Sequence, residues 1–114
     1  MRLKTAIWVR AYLRRCAGAG AFAAVVRHGD DDAGAIFIKV NRLDGACRLY
    51  CPAPAGLDGA ETERRWVLDA LAGEKGEEAI DARLVRERGF DADLWVIEVE
   101  DRAGRHFLDD LLAG

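Results

Sequence analysis

An Asp44-Gly45 pair sits between two stretches of alternating polarity, within AIFIKVNRLDGACRLYCP from Ala35 to Pro52, and constrains this chain more than any other feature. Asp-Gly accepts the positive φ that a two-residue type I′ turn demands at both central positions, so the pair predicts a tight antiparallel hairpin. Such a turn sets Leu43 opposite Ala46, Arg42 opposite Cys47, Asn41 opposite Arg48, Val40 opposite Leu49, Lys39 opposite Tyr50 and Ile38 opposite Cys51. Side chains alternate along a strand, so Ile36, Ile38, Val40, Leu49 and Cys51 are expected on one apolar face, with Cys47 at its margin. Lys39, Asn41, Arg48 and Tyr50 then share the other face. The ribbon reads as half-buried, in a register that a one-residue slip would invert.

At 114 residues, 51% hydrophobic and 32% charged, the chain from 1 to 114 reads as one domain with a core of its own and not as a disordered segment. No run reaches the length of about 18 apolar residues that a membrane span needs. Arg10, Arg14 and Arg15 interrupt any apolar core of a signal peptide. Three cysteines are an odd number without paired spacing, which points to free thiols in a reducing, cytoplasmic setting. The net charge of −3 is unevenly placed, since residues 1–28 carry six basic side chains and no acid. A basic helix docked beside acidic elements of the same fold accounts for this more simply than a polyanion-binding end.

The pattern predicts an α+β fold. Ile7, Trp8, Val9, Tyr12, Leu13 and Cys16 recur at helical spacing in a basic N-terminal helix from an N-cap at Thr5 to about Ala17. Phe22 to His28 reads as a strand, followed by the loop Gly29-Asp30-Asp31-Asp32-Ala33-Gly34. Pro52, Pro54, Gly56 and Gly59 mark an exposed loop reaching to about Glu63. Residues 64–71 fit a strand or a helix, and their shortness favours the strand. Glu77 to Arg88 is a second helix, with acids in its first turn, arginines later, an Arg83–Glu87 pair, Gly89 just past its end and a stripe of Ile80, Leu84 and Val85. Leu94 to Glu100 is a strand placed inside a mostly antiparallel sheet of four or five strands. Arg105 to Gly114 is a short C-terminal helix covering a sheet edge.

Assembled chemistry is scarce. His28 and His106 lie in no catalytic motif, so an enzyme is the less favoured class; it would need one of them beside a carboxylate such as Asp30 or Glu98. The three adjacent aspartates lack the alternating ligands and distal Glu of a calcium loop, and no metal site is assigned. Cys47 and Cys51 are about 13 Å apart on an ideal strand, too far for a disulfide or a shared zinc. Cys16 reads as a core residue. No glycine-rich phosphate loop is present, and no cofactor is implied. One constellation remains: Arg10, Arg14, Lys39, Arg48 and Tyr50, with Phe37 nearby, as a basic and aromatic face for single-stranded nucleic acid. The acidic whole and the missing RNA-module signature make it the weaker alternative.

MRLK-x-x-IWVRAYLRRC, then GAIFIKVNRLDG followed by LYCPAP, and finally FDADLWVIEVEDRAGRHF resemble a small family of uncharacterised alphaproteobacterial proteins of about this length. The likeness runs nearly end to end, with 55–76 least distinctive. It implies a cytoplasmic bacterial protein and supplies no activity, cofactor or catalytic residue. The expectation is a non-enzymatic module that binds another protein or itself as a homodimer, by strand addition at an edge beside residues 52–56.

Overall fold

The computed structural model describes residues 3–54, 63–69 and 74–113, with the side chains at 74 and 75 left aside. The loop expected across 55–62 and the end of the strand expected at 70–71 fall outside them. The elements in order are α1 (Thr5–Gly18), β1 (Phe22–Arg27), β2 (Ile36–Asn41), β3 (Ala46–Pro52), β4 (Trp66–Leu68), β5 (Glu74–Gly76), α2 (Glu77–Phe90), β6 (Trp95–Glu100) and a 3₁₀ turn at Asp109–Leu111. This is the expected α+β fold. Its sheet runs β1-β6-β2-β3-β4, with β5 also on β3. β4 pairs with Tyr50–Pro52 and β5 with Ala46–Arg48, so the two short strands share one position at the same edge and the sheet is five positions wide. Among these strands only β2 and β6 are parallel.

Each face of the sheet carries a helix. Val9, Tyr12 and Cys16 of α1 meet Ile36, Ile38, Val40, Tyr50, Trp66, Trp95, Ile97 and Val99. On the other side Ile80 and Leu84 of α2 meet Phe37, Cys47, Leu49, Leu94 and Val96. The parity of β6, with Trp95, Ile97 and Val99 opposite Leu94 and Val96, is as the alternation dictates. Ile7 and Val85 stand outside both cores, 48% and 59% exposed, and α2 runs through Gly89 to Phe90.

The hairpin forms, but its register is one residue away from the expected one. Ile38 pairs with Tyr50, Lys39 with Leu49, Val40 with Arg48 and Asn41 with Cys47. The connection is a three-residue loop in which Leu43 and Gly45 take positive φ, 66° and 92°. The Asn41 side chain accepts the Leu43 N–H, and Asp44 accepts that of Ala46, so two side chains carry the bend that the type I′ geometry would have carried. The slip puts Tyr50 with Ile38 and Val40 on the α1 face, and Cys47 and Leu49 with Phe37 and Lys39 on the α2 face. Both faces are covered, so no half-buried ribbon exists to enforce the other register.

Thr5 is the first helical residue and Lys4 the N-cap. The buried Thr5 hydroxyl donates to the Gly34 carbonyl instead of capping, and the Thr5 and Ala6 N–H groups are met by the Asp32 and Asp31 carbonyls. The aspartate loop therefore caps α1 with its backbone. It is held against the start of β6 by Asp30 N–H to Asp93 and by the Trp95 indole to Asp30. The tail covers an edge as expected: Leu112 bridges to Trp66 of β4, and Ala113 donates to the Trp66 carbonyl.

Two outcomes follow from this packing. A Cβ at Gly29 would lie 2.1 Å from the Asp93 carbonyl oxygen, and one at Gly34 2.5 Å from the same atom, whereas one at Gly18 meets nothing. Gly29→Ala and Gly34→Ala should each cost about 2 to 3 kcal/mol in urea denaturation, and Gly18→Ala should be neutral or stabilising by up to about 1 kcal/mol. Asp101 is buried and accepts from the Arg105 guanidinium and backbone N–H, which hold its carboxyl down to about 2. A depressed carboxylate contributes stability above its unfolded value of about 3.9, lost as pH falls toward the folded one. Stability should fall between about pH 4 and about pH 2, and Asp101→Asn should flatten that limb.

Candidate functional site

Two places concentrate polar chemistry or unmet surface. The first is built on β2, all six of whose residues are buried. Lys39 alternates with Phe37 and points to the α2 side, where it is 4% exposed. Glu77 and Asp81 stand one turn apart at the start of α2 and accept from its ammonium at 2.7 and 2.8 Å. Glu98, beside Lys39 in the parallel β2–β6 register, is 3.6 Å away. The Asn41 amide donates to both Glu77 and Glu98. Burial pushes the ammonium down, but hydrogen bonds to Asp81 and Glu77 and the charge of Glu98 outweigh it and hold it above its ordinary value. Lys39 is thus a fixed cation and cannot act as a base at neutral pH.

The network floors a cleft of about 320 Å³ whose rim includes Val26, Arg27, Leu84, Val85 and Arg88. The cleft opens beside β1, the second place of interest. β1 is bonded to β6 on one side, and its other side meets no strand among the described residues. Ala23 packs into the α1-side core, so Phe22 and Ala24 face the α2 side, where Val26 lines the cleft. α2 does not reach over them. Phe22 is 64% and Val26 62% exposed. The register shifts between Val25 and Arg27, a bulge that ends the regular edge at Val26.

The basic and aromatic constellation is distributed over the molecule. Arg48 and Tyr50 come together and border a cavity of about 440 Å³ with Leu68, His106 and Leu112. Lys39 lies on the opposite face of the sheet, buried among three carboxylates. Phe37 and Tyr50 are both buried, at 7% and 3%, in different cores. Arg10 and Arg14 are exposed on α1. Of the two histidines, His28 meets a carboxylate, Asp31, and neither meets Asp30 or Glu98. His28 Nε2 is 2.7 Å from Asp31 in open solvent, 63% exposed, and its ring lies over Trp95. His106 accepts the Leu108 N–H at Nδ1, and burial holds its pKa below the ordinary value. Asp30 caps the Asp32 and Ala33 N–H groups, and Glu98 belongs to the Lys39 network. The three thiols are free. Burial pushes all three up, Cys51 to about 12, away from nucleophilic character.

The edge expected beside residues 52–56 is taken up as far as it is described, because Pro52 pairs with Trp66 and Trp66 with Leu112. An edge that no strand meets among the described residues is β1, at the far side of the sheet. The sequence signal for it is the absence of any charge from Ala17 to Val26. The Lys39 network left a weaker signal, Glu77 and Asp81 at i,i+4 beside the Ile80–Leu84 stripe.

Removing one partner of a buried ion pair strands the others. Lys39→Met should therefore cost about 3 to 5 kcal/mol in urea denaturation, while Arg10→Met on the exposed side of α1 should stay within about 0.5 kcal/mol.

The chain is similar to known proteins along almost its whole length. A crystal structure of a DUF1491 family protein from Caulobacter crescentus superposes with a TM-score of 0.81 at 42% identity, covering 100% of both chains. The NMR structure of a DUF1491 family protein from the same organism gives 0.81 and 42%, covering 100% of this chain and 99% of that one. A solution structure from A. tumefaciens gives 0.72 at 48% identity over 88% of this chain and 86% of that one. None of the curated proteins matches. The family profile described as a protein of unknown function, DUF1491, matches residues 3–109, and with the fold shared end to end the chain belongs to the DUF1491 family.

Proposed function

We propose that this protein is a cytoplasmic, non-enzymatic interaction module whose docking site is the outer edge of β1. The observation that carries the reading is the edge itself. Natural edge strands are blunted by lysines, prolines, bulges or covering segments, because a row of unpaired N–H and C=O groups recruits another strand. The β4 edge has its cover in Leu112. β1 has only the terminal bulge, and its side chains up to Val26 are uncharged, with Phe22 and Val26 standing in water. A partner strand there would satisfy the backbone and bury both side chains, the mode by which extended segments are commonly received. Three free thiols support a reducing compartment. His28 and Asp31 pair in open solvent, burial pushes the three thiols up, and the cavity that His106 shares with Tyr50 and Arg48 is lined by no carboxylate among the described residues.

The test is site-specific photo-crosslinking in cells, with a benzophenone side chain in place of Phe22, Ala24 or Val26 in turn, and in place of Ala11 on exposed α1 as the control. Adducts are expected at the β1 positions and not at Ala11. Yields at β1 no higher than at Ala11 would overturn the reading.

A further inference from the structure

We infer that the strand received at the β1 edge is β1 of a second copy of this chain, paired antiparallel about a two-fold axis through Ala24. This rests on the docking edge proposed above and adds the partner's identity, register and charge pairing. A two-fold axis perpendicular to the sheet keeps both α2 helices on one side, so every residue must pair with one of the same face. Any residue of β1 can lie on such an axis: one at Phe22 leaves both Val26 side chains uncovered and one at Val25 sets Phe22 opposite the partner's His28, so Ala23 and Ala24 remain to be compared. At Ala23, Phe22 meets the partner's Ala24 and Val26 stays uncovered. At Ala24, Phe22 meets the partner's Val26 and Val26 meets the partner's Phe22, so the two most exposed side chains of the strand cover each other. The partner's Phe22 then lies at the mouth of the cleft, beside Val26 and Val85, which is itself 59% exposed.

Charge selects the same occupant. Arg27 lies at one end of the edge, on the α2 side. Among the described residues its guanidinium donates to the Ala92 carbonyl alone, its Nε is buried without a hydrogen-bond partner, and no carboxylate pairs with it. Glu100 lies at the other end, opposite Phe22 in the β1–β6 register and on the same side of the sheet as Glu98. It too has no ion pair among the described residues. An antiparallel second copy brings the partner's Arg27 to the Phe22 end and the partner's Glu100 to the Val26 end. Backbones two strands apart are separated by about 10 Å, within the combined reach of Arg and Glu. One docking event so matches both charges twice. A parallel partner strand of this chain would set arginine beside arginine. The pairing is isologous, so it closes at two copies.

Sedimentation equilibrium of the purified protein from micromolar to millimolar concentration reads the result. The two-chain mass is expected, dissociating on dilution. Arg27→Glu and Glu100→Arg should each weaken association at least about tenfold, and the double variant should return it to within about threefold. Circular dichroism verifies that each variant is folded. A second measurement depends on no charge. Ala24→Cys in a Cys51→Ser background places two thiols across the axis, where Cα atoms of directly opposed residues are about 4.5 to 5.5 Å apart. Mild oxidation should give a disulfide-linked pair, and Ala11→Cys should not. A monomer at millimolar concentration, reversals without effect on the dimer, or no disulfide-linked pair from the Ala24→Cys variant would each overturn the proposal. If the cellular crosslinks at β1 join a different protein while the purified chain is monomeric, the docking edge stands and the second copy falls.

Discussion

A lysine in the middle of a fully buried strand sets the terms for the rest of this molecule. Desolvating an ammonium costs several kcal/mol, recovered only when carboxylates are held against it with good geometry. Lys39 meets that condition through Glu77 and Asp81 of α2 and Glu98 of β6, three groups from two other elements. Glu77 and Asp81 are four residues apart, as are Ile80 and Leu84, so the ionic and apolar stripes of α2 run side by side. One fixes what the helix buries and the other fixes its rotation. Further along, Arg83 reaches Asp69 beyond β4 at 3.1 Å and pairs with Glu87. The helix is thereby tied to β2 at its start and to the end of the β4 segment at its middle, and the parallel placement of β6 against β2 is what brings Glu98 into the set.

Except for β5, which no local pattern announced, the elements were legible because each rests on local pattern. Apolar spacing located α1 and β6, the acid-to-arginine gradient located α2, and Asp44-Gly45 located the hairpin. The order of strands was not legible, since inserting β6 between β1 and β2 is a long-range event that leaves no mark on either strand. The hairpin register failed for a related reason. Half-burial was assumed from the polar residues Lys39, Asn41 and Arg48, yet Lys39 and Asn41 are buried because α2 brings carboxylates to them. Of the five residues read as a nucleic-acid face, those whose juxtaposition rests on one element came together, Arg48 with Tyr50 on β3 and Arg10 with Arg14 on α1, while Lys39 was taken to the other face. The aspartate loop was read as solvated side chains. Its backbone carbonyls cap α1, an interaction between groups that every residue type possesses and that composition cannot signal.

The aromatic content of the two cores is unequal in a way that matters for any optical study. Trp8, Trp66 and Trp95 are the three tryptophans of the chain, and all belong to the α1 side of the sheet. Trp8 lies 4.6 Å from Trp66, centroid to centroid, and 5.0 Å from Tyr12. The α2-side core contains no indole at all. Intrinsic fluorescence is consequently a one-sided probe. It reports solvent entry beneath α1 and the C-terminal tail, and it is blind to α2 lifting from β2. Far-UV ellipticity weighs the two helices about equally, since each has 14 residues. Agreement between the two signals during unfolding would mean that the layers part together; an ellipticity change that precedes the fluorescence change would mean that the lysine-bearing layer opens first.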